Sequence, residues 1–360
     1  MTDKLIDFSL KNRLLIIIAF VVICIFGKVS YDKLPIDAFP DVTPALVQVF
    51  TETDGLAPEE IEQLVTYPVE TAMNGLPKVE KIRSVSNFGL SVVNIYFKDG
   101  TDIFWARQLV GERLNEARDE IPAGLGEPVM GPISTGLGLI LFYYLEDETG
   151  TRTLEEMRTI QDWLVKFNLQ TVTGVTEVLG IGGDERQYQI IVKPEKLMAY
   201  NLTLRELIEA VKKNNLNVGA QFIEKGQEEY VIRSIGLIKN IESMENIVVK
   251  TLEDNTRIYL RELADIKIGG AIRRGLETLN GEGETVAGMV IKLIGTNTST
   301  VIRNVEKRME KINATLPEGI KIIPYYDQKE LVEACVKTVT NALVQGVALV
   351  VLVLLVFMGG

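Results

Sequence analysis

The chain has 360 residues, 46% of them hydrophobic and 24% charged, with a net charge of −11. That balance suits two or three packed units rather than a disordered chain, and its acidity argues against a nucleic-acid partner. There is no histidine, which removes the commonest transition-metal ligand and every Ser-His or Cys-His pair that nucleophilic catalysis could use.

Residues 14–27 (LLIIIAFVVICIFG) form the first long apolar run, behind Lys4, Lys11 and Arg13. No A-x-A cleavage pattern follows in Phe26-Gly27-Lys28-Val29-Ser30, so the run is expected to be an uncleaved membrane span with its basic end in the cytoplasm. Cys24 in this run and Cys335 beside the last one read as small hydrophobes rather than a disulfide. Pro35, Pro40 and Pro44 hold the next segment extended, as a stiff linker over residues 34–41. Residues 47–53 then read as a strand. Residues 58–73 read as a helix with Pro58 in its first turn, Ile61, Leu64, Val65, Val69 and Ala72 on one face, and Pro68 disturbing it. Residues 79–86 and 90–97 form a hairpin around Asn87-Phe88-Gly89. Residues 102–119 form an amphipathic helix with Ile103, Leu109, Val110, Leu114 and Ala117 inward.

This β-α-β-β-α order lacks one strand of a split βαβ unit. Residues 320–325 are the best candidate for it, which makes the intervening chain an insertion. A second similar unit begins with the strand 139–145. Thr153 and Glu156 then make a capping box for a helix with Met157, Ile160, Leu164 and Phe167 at helical spacing. The strand 175–183 follows, and the second half is expected at 285–293 and 299–314. Between the halves, residues 184–272 hold a strand at 188–192, a helix opened by the Thr203/Glu206 capping box, an extended loop or hairpin at 216–226, and short strands near 230–233, 247–251 and 258–260. Asp327, with Glu330 three residues on, can cap a helix that runs directly into a second apolar span. From Thr338 to Gly360 there is no charge, and about 20 apolar residues suffice to cross ~30 Å of hydrocarbon. Two spans place the chain between them on one side of the membrane, and the second span reaches the last residue, where a larger membrane protein would continue.

Chemistry is sparse. Gly180-x-Gly182-Gly183 lacks the spacing of a nucleotide-binding loop and reads as a tight turn. Acidic pairs such as Glu59/Glu60 and Asp147/Glu148 sit at helix starts or loop edges, where they favour the helix dipole. The nine methionines are scattered without shared local spacing, so no soft-metal site is assigned. Neither catalytic nor cofactor-binding residues are expected. Arg83, alternating with Lys81 on one strand face, is the one candidate for a substrate cleft, a solvated surface arginine being the plainer alternative.

The chain resembles the first part of the resistance-nodulation-division (RND) efflux pumps, specifically their heavy-metal branch (CusA- and CzcA-like). The resemblance rests on Pro35-Ile36-Asp37-Ala38-Phe39-Pro40-Asp41, Val65-Thr66-Tyr67-Pro68-Val69-Glu70, Phe97-Lys98-Asp99-Gly100-Thr101-Asp102 with Trp105-Ala106-Arg107, Gln161-Asp162-Trp163, Tyr188 through Pro194, Arg273-Arg274-Gly275 with Leu279-Asn280-Gly281-Glu282-Gly283-Glu284, and Tyr326-Asp327, in order. It implies an α+β membrane protein: two transmembrane helices flank a periplasmic insertion of ferredoxin-like βαββαβ porter subdomains and a small α+β docking subdomain. The implied limits are 1–30 for the cytoplasmic N-terminus and first span, 31–130 with 320–330 for the first porter subdomain, 131–183 with 273–319 for the second, 184–272 for the docking subdomain, and 336–360 for a second, truncated span. It further implies a proton-driven exporter of metal cations in the inner membrane, in contact with membrane lipid, trimeric when full-length. A periplasmic adaptor and an outer-membrane channel would be its partners, and the loop at 216–226 would reach a neighbouring subunit. The family's proton-relay acids and principal metal site lie in regions this chain does not contain, so the chain alone is expected not to transport. A multidrug or lipid exporter of the same superfamily, or a membrane-anchored binding or scaffold module, are the alternatives.

Overall fold

The computed structural model of the protein describes residues 11–32, 43–53, 55–225, 228–234, 236–253, 255–273 and 275–358. The linker expected at 34–41 lies outside them. There are two compact units: one takes the chain up to Arg152, Ile160–Ile181 and the chain from Thr285 on, and the other takes Thr153–Thr159 and Gly182–Glu284.

The first unit opens with helix α1 (Arg13–Asp32). It is long and apolar enough to cross a membrane, and its spanning stretch is not covered by protein. After it come β1 (Leu46–Glu52), helix α2 in three pieces (Pro58–Ile61, a π turn Glu62–Thr66, and Tyr67–Met73), β2 (Val79–Asn87), β3 (Leu90–Phe97), α3 (Ile103–Glu120) and β4 (Val129–Met130). The strands make an antiparallel sheet in the order β2-β3-β1-β4. Alternation turns Val47, Val49 and Thr51 of β1, and Ser91, Val93, Ile95 and Phe97 of β3, toward the two helices. The Asp102 carboxylate accepts the Trp105 N–H at 2.8 Å and so starts α3, which buries Ala106, Val110, Leu114 and Ala117.

The face of α2 explains its π turn. Its buried residues include the series Ile61, Val65, Val69 and Met73, each four after the last, with Thr66 and Pro68 beside them. On a helix of 3.6 residues per turn such steps slip by about 40° each, so three steps would carry Met73 about 120° round from Ile61. A π turn accommodates one extra residue and takes up about 100° of that slip. Pro68, which has no N–H to return to the preceding turn, follows one residue after it, behind Tyr67. Burying each of these side chains contributes roughly 1.5–3 kcal/mol. The Thr66 hydroxyl, in the π turn, meets Ser86 Oγ at 2.8 Å and Ser91 Oγ at 2.7 Å, closing that end of the core.

The expectation that residues 320–330 complete this sheet is not met. The edge beside β1 is already taken by β4, a two-residue strand between Pro128 and Gly131 that is too short to register as a pattern.

The second sheet starts with β5 (Leu139–Asp147), followed by helix α4 (Leu154–Ile160, a π turn Gln161–Lys166, and Phe167–Gln170) and β6 (Val175–Ile181). The capping box is formed: Glu156 N–H donates to Thr153 Oγ1 at 3.2 Å and Thr153 N–H to Glu156 Oε2 at 3.0 Å. Here the buried face is Met157, Gln161, Val165 and Leu169, the same four-residue spacing with the same π turn. The expected face of Met157, Ile160, Leu164 and Phe167 is therefore corrected. Phe167 is 66% exposed, because the π turn re-phases the helix after residue 160.

The second unit follows. Its elements are β7 (Arg186–Val192), α5 (Pro194–Ala199), α6 (Leu204–Asn214), β8 (Val218–Lys225), β9 (Glu228–Ser234), α7 (Ile241–Glu245), β10 (Val248–Thr251), β11 (Arg257–Tyr259), α8 (Leu260–Leu263) and β12 (Ala264–Gly270). Strands pair as β7 with β12, β8 with β9 and β10 with β11, all antiparallel. Leu197, Leu202, Leu207, Ile247, Ile258, Leu260 and Leu263 form its core. The Thr203/Glu206 capping box opens α6, with Thr203 N–H donating to Glu206 at 2.7 Å. Arg273 pairs with Asp184 at 3.1 Å and also with Glu284, joining the first and last stretches of this unit.

The chain then runs through β13 (Glu277–Leu279) to β14 (Gly283–Lys292), α9 (Thr298–Asn313), β15 (Ile320–Asp327) and α10 (Gln328–Met358). β14 pairs with both β5 and β6, and β15 pairs with β5. The strand expected in the first sheet thus belongs to the second. Asn313, at the end of α9, helps place it: its Oδ1 accepts the Ile322 N–H at 2.9 Å. Read as β6-β14-β5-β15, the order repeats that of the first sheet: second, third, first, fourth. Each is a βαββαβ layout. The segment from residue 182 to 284 interrupts the second where the first has a tight turn at Phe88-Gly89. Gly288 of β14 is obligatory, because a Cβ there would lie 2.2 Å from the ring of Tyr143 on β5. α10 continues from β15 without a loop and is the second helix able to cross a membrane. Cys24 and Cys335 are both free and exposed.

Candidate functional site

Within the first unit the two sheets flank an open cleft of about 760 Å³. One wall is the face of β1 opposite the core. Because Val47, Val49 and Thr51 point to the helices, Gln48, Phe50 and Glu52 must point the other way, into the cleft. β4 adds Val129 and Met130, and the chain after it adds Gly131, Pro132 and Ile133. The other wall carries Thr176, Glu177 and Leu179 of β6 and Ile291 of β14.

The wall is built closely. Gly131 N–H donates to Gln48 O at 2.8 Å, extending the β1–β4 pairing. A Cβ at Gly131 would come 2.6 Å from the Phe50 ring, so only glycine lets the strand pass. Gln48 Nε2 donates to Asn94 Oδ1 at 2.8 Å, which orients the amide. Arg107 reaches from α3 and donates Nη1–H to Gly131 O at 2.7 Å. Burial lowers the Arg107 pKa from its ordinary value, yet a guanidinium starts high enough to stay charged. The cleft therefore holds two carboxylates, Glu52 on the first sheet and Glu177 on the second, one tethered guanidinium and the soft thioether of Met130. Its charge balance can attract a cation, but among the described residues no group of three or more His, Cys, Asp or Glu is placed to hold a metal ion.

Arg83 is exposed on β2 and stands opposite Asn94 of β3, so it shares the sheet face of Asn94 and Gln48, two strands from β1. It is not among the residues that line the cleft. Lys81, on the same face, lies 4.8 Å from the Tyr96 ring. Sequence reasoning missed Glu52, Glu177 and Arg107 as cleft residues. The period-two pattern of β1 was the available signal for Glu52, whereas Glu177 and Arg107 needed the packing of the two sheets.

Comparison with known proteins matches residues 5–360 to the model of the AcrB/AcrD/AcrF family. Protein HelA of Legionella pneumophila is 43% identical over 364 residues, covering 100% of this chain and 34% of the relative. The cobalt-zinc-cadmium resistance protein CzcA of Cupriavidus metallidurans is 43% identical over 366 residues, covering 100% and 34%. The cation efflux system protein CusA of Escherichia coli K12 is 35% identical over 358 residues, covering 99% and 34%. The crystal structure of a heavy metal efflux pump superposes with a TM-score of 0.88 at 33% identity, over 99% of this chain and 36% of that one. The chain thus spans about a third of the length of the relatives it matches.

Proposed function

We propose that this chain, which belongs to the AcrB/AcrD/AcrF family, forms the N-terminal third of a proton-driven heavy-metal cation exporter of the inner membrane. The observation that carries the reading is the end-to-end likeness, over 99% of this chain, to a heavy metal efflux pump. On this reading α1 and α10 cross the membrane and everything between them is periplasmic. The two βαββαβ layouts are the porter subdomains, with β15 in the second, and residues 184–272 form the docking subdomain. The complete protein assembles as a trimer and works with a periplasmic adaptor and an outer-membrane channel.

The cleft supports a cation as cargo. Two carboxylates against one tethered guanidinium leave a negative balance, which concentrates cations in a groove with low-dielectric walls. Arg83, farther along the same sheet face, would tune that field rather than bind. Since two carboxylates and a thioether fall short of a transition-metal site, this part of the cleft serves passage, and tight binding needs ligands from the rest of the transporter.

The test is resistance of a strain stripped of its metal exporters. The complete reading frame should restore growth in zinc, cobalt, cadmium, copper or silver salts, the Glu52→Gln/Glu177→Gln variant should restore it less, and residues 1–360 alone should not restore it. Protection against drugs but not metals would replace the reading with a drug exporter. Protection by the 360-residue chain alone would refute its dependence on the remainder.

A further inference from the structure

We propose that the junction of β15 and α10 is a proton-responsive joint, in which Asp327 and the Lys329–Glu306 ion pair set how firmly the spanning helix is held against α9. The strand ends at Asp327 and the helix begins at Gln328, so no loop separates sheet from span. Asp327 Oδ1 accepts the Lys329 N–H at 2.7 Å and caps the first turn of α10. Lys329 Nζ reaches both carboxylate oxygens of Glu306 on α9, at 3.1 and 3.0 Å, tying the two helices. Between these contacts sits Gln328, only 7% exposed, whose Oε1 has no hydrogen-bond partner among the described residues.

The charges facing Asp327 are few. α9 contributes Glu306, α10 contributes Lys329 and Glu330, and β5 presents the apolar Leu141 opposite it. With Glu333 of α10, which also acts on Lys329, four carboxylates therefore surround one ammonium. Burial first, and then Glu306 and Glu330, raise the Asp327 pKa above its ordinary value against the pull of the Lys329 N–H and ammonium. A folded-state value above that of free aspartate, near 4, means that protonation favours the closed joint. Its contribution is complete below about pH 4 and is lost as pH rises through the folded-state value. This contribution therefore firms the joint as pH falls from neutral, while the Lys329–Glu306 pair is still charged.

The test uses the full chain in lipid nanodiscs. Spin labels go on the native, exposed Cys335 and on Lys307→Cys of α9, in a Cys24→Ser background. Pulsed electron–electron resonance should show the inter-label distance distribution narrowing as pH falls from neutral toward about 5, where the Lys329–Glu306 pair is still charged. Asp327→Asn should give the narrow distribution at every pH, and Glu306→Gln should broaden it at every pH. A wild-type width that ignores pH, an Asp327→Asn variant that still titrates, or a Glu306→Gln variant with unchanged width would each overturn the proposal.

Discussion

Tyr143 and Gln161 offer the sharpest test of how the second sheet is held. Both are fully buried. Tyr143 O–H donates to Gln161 Oε1 at 3.1 Å, and Gln161 Nε2–H donates back to Tyr143 Oη at 2.9 Å. Burial drives the phenol pKa well above the usual tyrosine range, so the hydroxyl stays protonated. Tyr143→Phe leaves a buried amide without its partner and should cost roughly 1–3 kcal/mol, and Gln161→Met leaves the hydroxyl stranded at a similar cost. The double variant removes both polar groups while keeping the volumes close, so it should lie within about 1 kcal/mol of the wild type. Coupling of at least about 1 kcal/mol between the two sites follows. The assay is amide hydrogen exchange of peptides covering β5 and α4, in which each 1.4 kcal/mol of lost local stability speeds exchange about tenfold. If the double variant exchanges as fast as the sum of the single effects requires, the two side chains do not satisfy each other and the reasoning fails.

Gly288→Ala places a methyl 2.2 Å from the Tyr143 ring, and since that ring has no room to leave, thermal unfolding should begin earlier, by an amount corresponding to about 1–3 kcal/mol or more. Thr66→Val breaks the bonds to Ser86 and Ser91; a loss of about 1 kcal/mol should appear as faster exchange in β2 and β3 and nowhere in β5. The Asp147 pKa is lowered to about 2, first by the Thr149 hydroxyl and then by the Arg152 N–H. Its folded-state value lies below that of free aspartate, near 4, so the turn's stabilisation is complete above about pH 4 and fades as pH falls through the folded-state value. The Thr149 and Arg152 amide resonances should therefore hold their positions to well below pH 4 and then shift together, whereas in Asp147→Asn they should not titrate.

The sequence carried the local pieces because local physics decides them. Asp102, Thr153 and Thr203 announce helix starts through side chains that reach their own backbone, and the alternation of residues 90–97 names its buried face. What failed is what local pattern does not contain. Residues 320–327 look like a strand for either sheet, and only β4, two residues long, decides the matter by occupying the first sheet's open edge. The face of α4 was misassigned because regular helical spacing accepts Ile160 and Phe167, whereas the π turn shifts the buried series to Gln161, Val165 and Leu169. A polar residue in that series, Gln161, concealed the pattern further. The cleft was hidden for a related reason: Glu52 and Glu177 come to line one cleft only when two sheets far apart in sequence pack side by side.

The passage from β15 into α10 behaves as a lever arm. A helix of 31 residues is about 46 Å long, so a tilt of about 5° at its upper end would swing the other end by about 4 Å. With no slack segment at the pivot, slight rotations of the sheet would become sizeable displacements at the far end of the helix, which on the proposed reading lies in the lipid, and drag on the helix there would twist the sheet in return.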